Sequence, residues 1–199
     1  MDGFRRAGFI YLRNHGIAPA EVTKAFSHSA AFFKRDKAEK DSLAWYSAKA
    51  NRGYSAQGKE KVTDLTDPDA ILALREFEGE DLKETMEIGR EGEPDCPNMW
   101  PSGTDKDSTS FKKEMLAFHA RCKQLHVEVM RAIAVGLGID ESWFDSFCDV
   151  GDNTLRLLHY PPVPAAVFKK NSNQVRAGAH TDYGTFNTSS SRYSGLSSY

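Results

Sequence analysis

The chain has 199 residues, of which 40% are hydrophobic and 27% charged, and its formal net charge is −2. That length suits one domain with a real core, and the composition is ordinary for a globular chain. The near-neutral balance offers no global attraction to nucleic acid or to an anionic membrane, and no apolar run approaches the roughly 18 residues that span a bilayer. Three cysteines, Cys96, Cys122 and Cys148, stand far apart with no Cys-x-x-Cys pair. An odd, sparse set argues against a disulfide scaffold and fits a reducing, cytoplasmic compartment. The apolar run near Met1 is too short for a secretory signal.

In chain order, Phe9-Ile10-Tyr11-Leu12 is an apolar, β-prone run followed by the turn residues Asn14-His15-Gly16, so a buried strand is expected. His15 in that turn is read as bonded to backbone. Pro19 suits a helix's first turn, and Val22, Ala25, Phe26, Ser29, Ala30 and Phe33 recur at helical spacing, predicting a helix over 19–34. A second short helix is expected over 36–44, and a turn leading into extended chain at Arg52-Gly53-Tyr54. Residues 62–80 are polar and carry no clear period. Thr85 to Gly89 alternates and predicts a strand, while Pro94, Pro97 and Pro101 break the chain around Trp100 into loop.

Phe111, Met115, Phe118, Cys122, Leu125, Val129 and Ala132 step by four and three. This stripe predicts a long amphipathic helix over 109–137, stopped by Gly136 and Gly138, with Phe118, Leu125 and Val129 buried. His119 and His126 lie two turns apart beside the stripe, too far to share a metal, so packing or surface roles are expected. Glu141 to Cys148 reads as a short helix with Trp143, Phe144 and Phe147 turned inward. Thr154 to Tyr160 is a β-rich run stopped by Pro161 and Pro162, and Arg176 to Thr185 is a further strand candidate. From Asn187 onward the chain holds six serines, one glycine and a single aliphatic residue, Leu196, which predicts a disordered tail.

The chemistry concentrates in His180-Thr181-Asp182. On a strand, residues two apart share a face, so His180 and Asp182 would aim an imidazole and a carboxylate at one point. With a second histidine from elsewhere this makes the facial triad of non-haem Fe(II) oxygenases, which leaves positions open for a co-substrate and O2. Alone, His-x-Asp is a weak signal; the rest of the chain supplies its context.

Six blocks do so in order: Gly8 to Ile17, Phe32-Phe33, Arg52-Gly53-Tyr54, Asn98-Met99-Trp100-Pro101, Leu155 to Pro162 and Arg176 to Thr185. Together they resemble the isopenicillin N synthase-like group of 2-oxoglutarate-dependent dioxygenases. The resemblance implies an α+β fold in which a helical N-terminal region leads into an incomplete double-stranded β-helix, or jelly-roll, core. It divides the chain into an N-terminal region over 1–110, the long helix and first part of the oxygenase core over 111–185, and a Ser-rich tail over 186–199. It implies Fe(II) and 2-oxoglutarate as cofactors, His180 and Asp182 as metal ligands, and Tyr160 as a contact to 2-oxoglutarate. Leu158 stands where plant members often carry Asn. The implied activity is oxidation of a small organic metabolite by O2, by hydroxylation, desaturation or ring closure, with neither nucleic acid nor membrane as partner.

The group's second histidine ligand and its Arg-x-Ser clamp would follow Thr185, yet the other histidines, His15, His28, His119, His126 and His159, all precede His180. The chain is therefore expected to be truncated within the catalytic core and inactive by itself, with His180 on a poorly covered edge strand. A non-catalytic remnant of the same ancestry is the alternative. An unrelated helical binding protein would account for the long stripe but not for the ordered blocks.

Overall fold

The computed structural model describes residues 2–59, 67, 69, 82–103, 106–170 and 187–190. Its elements are α1 (Asp2–Arg6), α2 (Pro19–Phe33), α3 (Lys37–Asp41), β1 (Gly53–Ser55), β2 (Glu84–Ile88), α4 (Lys106–Leu137), α5 (Asp145–Cys148), β3 (Leu155–His159) and α6 (Ala165–Lys170). The three strands form one antiparallel sheet in the order β1-β2-β3. α2 and α4 pack against each other along one face of it.

Local chemistry explains the helices. Pro19 opens α2, and the Glu21 carboxylate reaches back to accept the Ala18 backbone N–H at 2.8 Å. Phe32 and Phe33 end α2 inside the core, where Phe32 stacks on Phe111 of α4 with ring centroids 5.0 Å apart. The stripe of α4 behaves as its spacing predicts over most of its length. Phe111, Met115, Leu125 and Val129 are buried, and Phe118 is partly buried against the core. At the far end, burial moves to Met130 and Ala134 while Ala132 is exposed. Thirty-two residues of helix outrun a simple seven-residue pattern, so the buried line drifts around the cylinder.

β2 is the central strand, and all five of its residues are buried. Pairing sets the faces. Glu84, Met86 and Ile88 lie opposite His159, Leu157 and Leu155, and Tyr54 lies opposite Met86. Phe32, Phe33, Leu43, Phe111 and Met115 close that side into the core. The other face carries Ser55, Thr85, Glu87, Arg156 and Leu158.

The blocks noticed in the sequence are joints of this scaffold. Gly53 has φ of +108°, and a Cβ there would sit 2.7 Å from the Leu43 carbonyl oxygen. That carbonyl accepts the Tyr54 N–H at 2.8 Å. Gly53→Ala is therefore expected to destabilise the fold by at least the roughly 1–3 kcal/mol of a strained backbone. A urea midpoint equal to that of the parent would refute this. Gly89 is flattened beneath the Arg52 guanidinium, whose Cζ would lie 1.8 Å from an added Cβ. Asn98 takes the place of a strand partner, accepting the Gly89 N–H at 2.8 Å and donating to the Gly89 carbonyl at 2.9 Å. Trp100 and Asn98 both donate to Glu91, and the Trp100 ring meets Phe111 edge-on.

Several expectations change. Phe9, Ile10 and Tyr11 form no strand among the described residues and are 76%, 43% and 97% exposed. A β-prone run gains nothing from extension without a neighbouring strand, and the described sheet has none beside it. The turn that follows is held: His15 Nδ1 accepts the Ile17 N–H at 3.3 Å, and Arg121 of α4 donates to the Gly16 carbonyl at 2.8 Å. Trp143 and Phe147 do not turn inward; they are 59% and 75% exposed. α5 is a single turn of four residues, and its buried side carries Cys148 with half-buried Phe144, while Asp145 is gripped by Arg131. α1 and α6 carry no periodic signal long enough to announce them. Residues 187–190 are exposed and irregular, and the rest of the expected tail lies outside the described residues, as does most of 62–80.

Candidate functional site

The strand β3 brings the candidate residues toward one end of the sheet. Leu155, Leu157 and His159 face the helices, while Arg156 and Leu158 face away. Tyr160 follows directly, half-buried, and the strand's alternation carried one residue further assigns it to the face of Arg156 and Leu158. On that face Arg156 pairs with Glu87, whose side chain is almost fully buried, and the Thr85 hydroxyl is buried with no bonding partner among the described residues. Leu158 is 44% exposed. Pro161 restricts Tyr160 to extended backbone, so Tyr160 is constrained from both sides in sequence.

His180 and Asp182 lie outside the described residues. Among the described residues no group of three metal-ligating side chains gathers. The donor chemistry of His180 and Asp182, one neutral nitrogen and one anionic oxygen, fits a divalent first-row metal. Most of the other histidines are committed elsewhere. His15 is bonded to its own turn. His119 Nε2 bonds the Asn153 carbonyl at 2.9 Å, and the Asn153 side-chain amide lies 3.1 Å from His126 Nδ1. These two histidines thus tie α4 to the loop before β3, a packing role in keeping with their spacing. His119 is buried, and burial holds His126 below the ordinary histidine range against the opposing effect of Asp152.

His159 adjoins Tyr160 in the chain, and it faces the helices. Its Nδ1 lies 2.7 Å from Glu84 Oε1, and its ring stacks on Phe33 with centroids 5.2 Å apart and planes 24° apart. Glu84 is the centre of a buried cluster. Lys40 Nζ donates to Glu84 Oε2 at 2.8 Å and to the Phe33 carbonyl at 3.0 Å, and the Tyr54 hydroxyl donates to the same Glu84 oxygen. Burial by itself would raise the Glu84 pKa; the bonds from Lys40, Tyr54 and His159 outweigh it and hold the carboxyl below its ordinary value. An ionised carboxylate only accepts, so His159 carries its proton on Nδ1. Burial, then the bond to Glu84, raises the Tyr54 hydroxyl well above the ordinary tyrosine range.

Periodicity did not disclose this cluster. The available signal was two carboxylates, Glu84 and Glu87, inside an otherwise apolar alternating run. Buried carboxylates require cations, and Lys40 and Arg156 answer them from 44 and 69 residues away.

Comparison with known proteins bears on the whole chain. Residues 1–103 match the family model described as non-haem dioxygenase in morphine synthesis N-terminal, just over half of the 199 residues. The 2-oxoglutarate-Fe(II) type oxidoreductase ppzD of Metarhizium rileyi is 34% identical over 190 residues, covering 93% of this chain and 51% of that protein. The proline hydroxylase buaE of Petromyces alliaceus is 31% identical over 182 residues, covering 90% and 53%. A full-length Neurospora crassa protein, crystallised in complex with alpha-KG and thymine, superposes with a TM-score of 0.81 at 57% identity, covering 92% of this chain and 55% of that one. The chain thus spans about half the length of the curated relatives it matches. It belongs to the non-haem Fe(II)- and 2-oxoglutarate-dependent dioxygenases, a family whose cofactors are Fe(II) and 2-oxoglutarate.

Proposed function

We propose that these residues form the N-terminal region and first core strands of an oxygenase that oxidises a small organic metabolite, with a pyrimidine base such as thymine as the favoured substrate. The observation that carries this reading is the likeness to the thymine-bound N. crassa protein, at 57% identity over nearly the whole chain. In this reading His180 and Asp182 supply two metal ligands and Tyr160 contacts 2-oxoglutarate. The described sheet is one part of a jelly-roll core. The chain divides near residues 110 and 185, and the three unpaired cysteines fit a cytoplasmic setting. No helix among the described residues is long and apolar enough to cross a membrane.

When bound, Fe(II) with 2-oxoglutarate supplies oxidation of the substrate by O2, coupled to loss of CO2 and formation of succinate. The protein's part is to bind, orient and exclude water. Leu158 contributes apolar surface beside Tyr160, and buried Glu87, paired with the more exposed Arg156, places a charge pair on the same face. A polypeptide of residues 1–199 alone is expected to form little succinate. His15, His119, His126 and His159 are engaged as described, and His28 sits in α2 with no three-ligand group around it among the described residues, so His180 and Asp182 are the two donors this reading gives the metal.

The test is a chimera in which residues 1–185 replace the matching part of the N. crassa protein. Succinate formation that depends on thymine is the expected result, with free proline as the competing substrate. A folded chimera that consumes 2-oxoglutarate with proline and not with thymine would reverse the substrate assignment. A folded chimera inert with both would end the proposal and leave a non-catalytic remnant as the better description.

A further inference from the structure

Buried charge is a poor way to stabilise a core, since a well-packed apolar group of similar volume does as well or better. What charge offers is direction, because hydrogen bonds fix angles that apolar contacts leave loose. The cluster around Glu84 has that character. Lys40 and Glu84 are each only 8% exposed, and their contacts close a ring. Lys40 Nζ holds the Phe33 carbonyl at 3.0 Å and Glu84 at 2.8 Å. The Phe33 ring stacks on His159, and Glu84 bonds His159 Nδ1 at 2.7 Å. The imidazole is thereby fixed twice, in its plane by Glu84 and across its face by Phe33. Yet His159 sits at the end of β3, with a side chain 42% exposed, where a strand would ordinarily fray.

The residue that gains from such anchoring is the next one. Tyr160 has left the strand ladder, and Pro161 follows it. We propose that Lys40, Glu84 and His159 are positioning residues: they clamp the end of β3 from the helical side so that Tyr160, on the opposite side, is aimed at the co-substrate. This rests on the reading of Tyr160 as a 2-oxoglutarate contact. It adds that the aim comes from a charged clamp whose parts never meet the co-substrate. Phe33 and Lys40 belong to the end of α2 and to α3, so the N-terminal helices take part in orienting the core strand.

The 199-residue chain labelled with 3-fluorotyrosine tests this by fluorine NMR. It has seven tyrosines, and Tyr160→Phe identifies the Tyr160 resonance. Tyr46, whose hydroxyl donates to the Pro97 carbonyl rather than to Glu84, serves as the reference. His159→Phe keeps a ring for Phe33 and removes the bond to Glu84; Lys40→Met opens the ring from the other side; His159→Asn restores a short N–H donor. The expected result is a shifted or broadened Tyr160 resonance in His159→Phe and Lys40→Met, recovery toward the parent in His159→Asn, and an unmoved Tyr46 throughout. A merely structural role would lower stability without that recovery. A Tyr160 resonance unchanged in both disrupting variants, with the chain folded, overturns the proposal.

A second measurement separates it from the reading beneath it. In the chimera, whose other part comes from a protein crystallised with alpha-KG, excess 2-oxoglutarate with the diamagnetic ion Zn(II) is expected to move the Tyr160 resonance, with half-saturation rising roughly 10-fold in His159→Phe, as for loss of an outer-shell partner. If the variants move Tyr160 while 2-oxoglutarate does not, the clamp stands and the co-substrate contact is lost.

Discussion

Replacing Glu84 by alanine is expected to destabilise the folded chain by about 3–5 kcal/mol, the cost of leaving a buried partner charge uncompensated. Lys40 would keep the Phe33 carbonyl but lose its carboxylate, and Tyr54 would lose the acceptor for a buried hydroxyl. His159 would lose the carboxylate that holds its ring. Urea unfolding at neutral pH measures the effect; a loss below about 1 kcal/mol, the range of an exposed ion pair, would mean that the cluster is solvated. The pH dependence has a fixed sign. The Glu84 carboxyl is held below its ordinary value of 4.5, so it binds a proton less readily in the folded chain than in the unfolded one. Its contribution is fully present above that ordinary value and is lost as pH falls through the depressed one. The parent should therefore lose stability below pH 4.5 more steeply than Glu84→Gln, which has no proton to take up there. Parallel stability profiles for the two proteins on the acid side would contradict this assignment.

The second large effect concerns the metal. In the chimera, His180→Ala is expected to lower Mn(II) affinity by more than the roughly 10–100-fold that loss of an outer-shell partner costs, and to abolish succinate formation. Asp182→Asn should do the same, because it removes the anionic donor while nearly preserving shape. Thr181→Ala is the internal control. On the proposed reading of this segment as extended, alternation would turn Thr181 away from the point His180 and Asp182 would share, so its loss should change affinity little. If Thr181→Ala proved as damaging as His180→Ala, the two-apart geometry would be wrong and the metal reading would fall with it.

The one-dimensional pattern was sufficient wherever an element's own periodicity meets a single continuous partner. The step of three and four from Phe111 to Val129 marked the long helix and most of its buried stripe. The alternation of Thr85 to Gly89 and the β-rich run at Leu155 marked two of the three described strands. The ordered blocks marked the family; in the structure Gly53 and Asn98 perform backbone-level tasks, and Trp100 donates to the Glu91 carboxylate while its ring meets Phe111. Periodicity reports which residues share a face; it does not report what that face meets. Phe9 to Tyr11 has the pattern of a buried strand but no adjacent strand among the described residues, and Trp143, in the turn before α5, and Phe147, within α5, both point to solvent. Only folding brought Lys40, Glu84 and His159 together, across separations of 44 and 75 residues. Such contacts are chosen by the register of β2 against β3 and by where α3 ends up beside them. A buried carboxylate can be read from sequence as a demand for cations, but which cation answers is decided by the tertiary path of the chain.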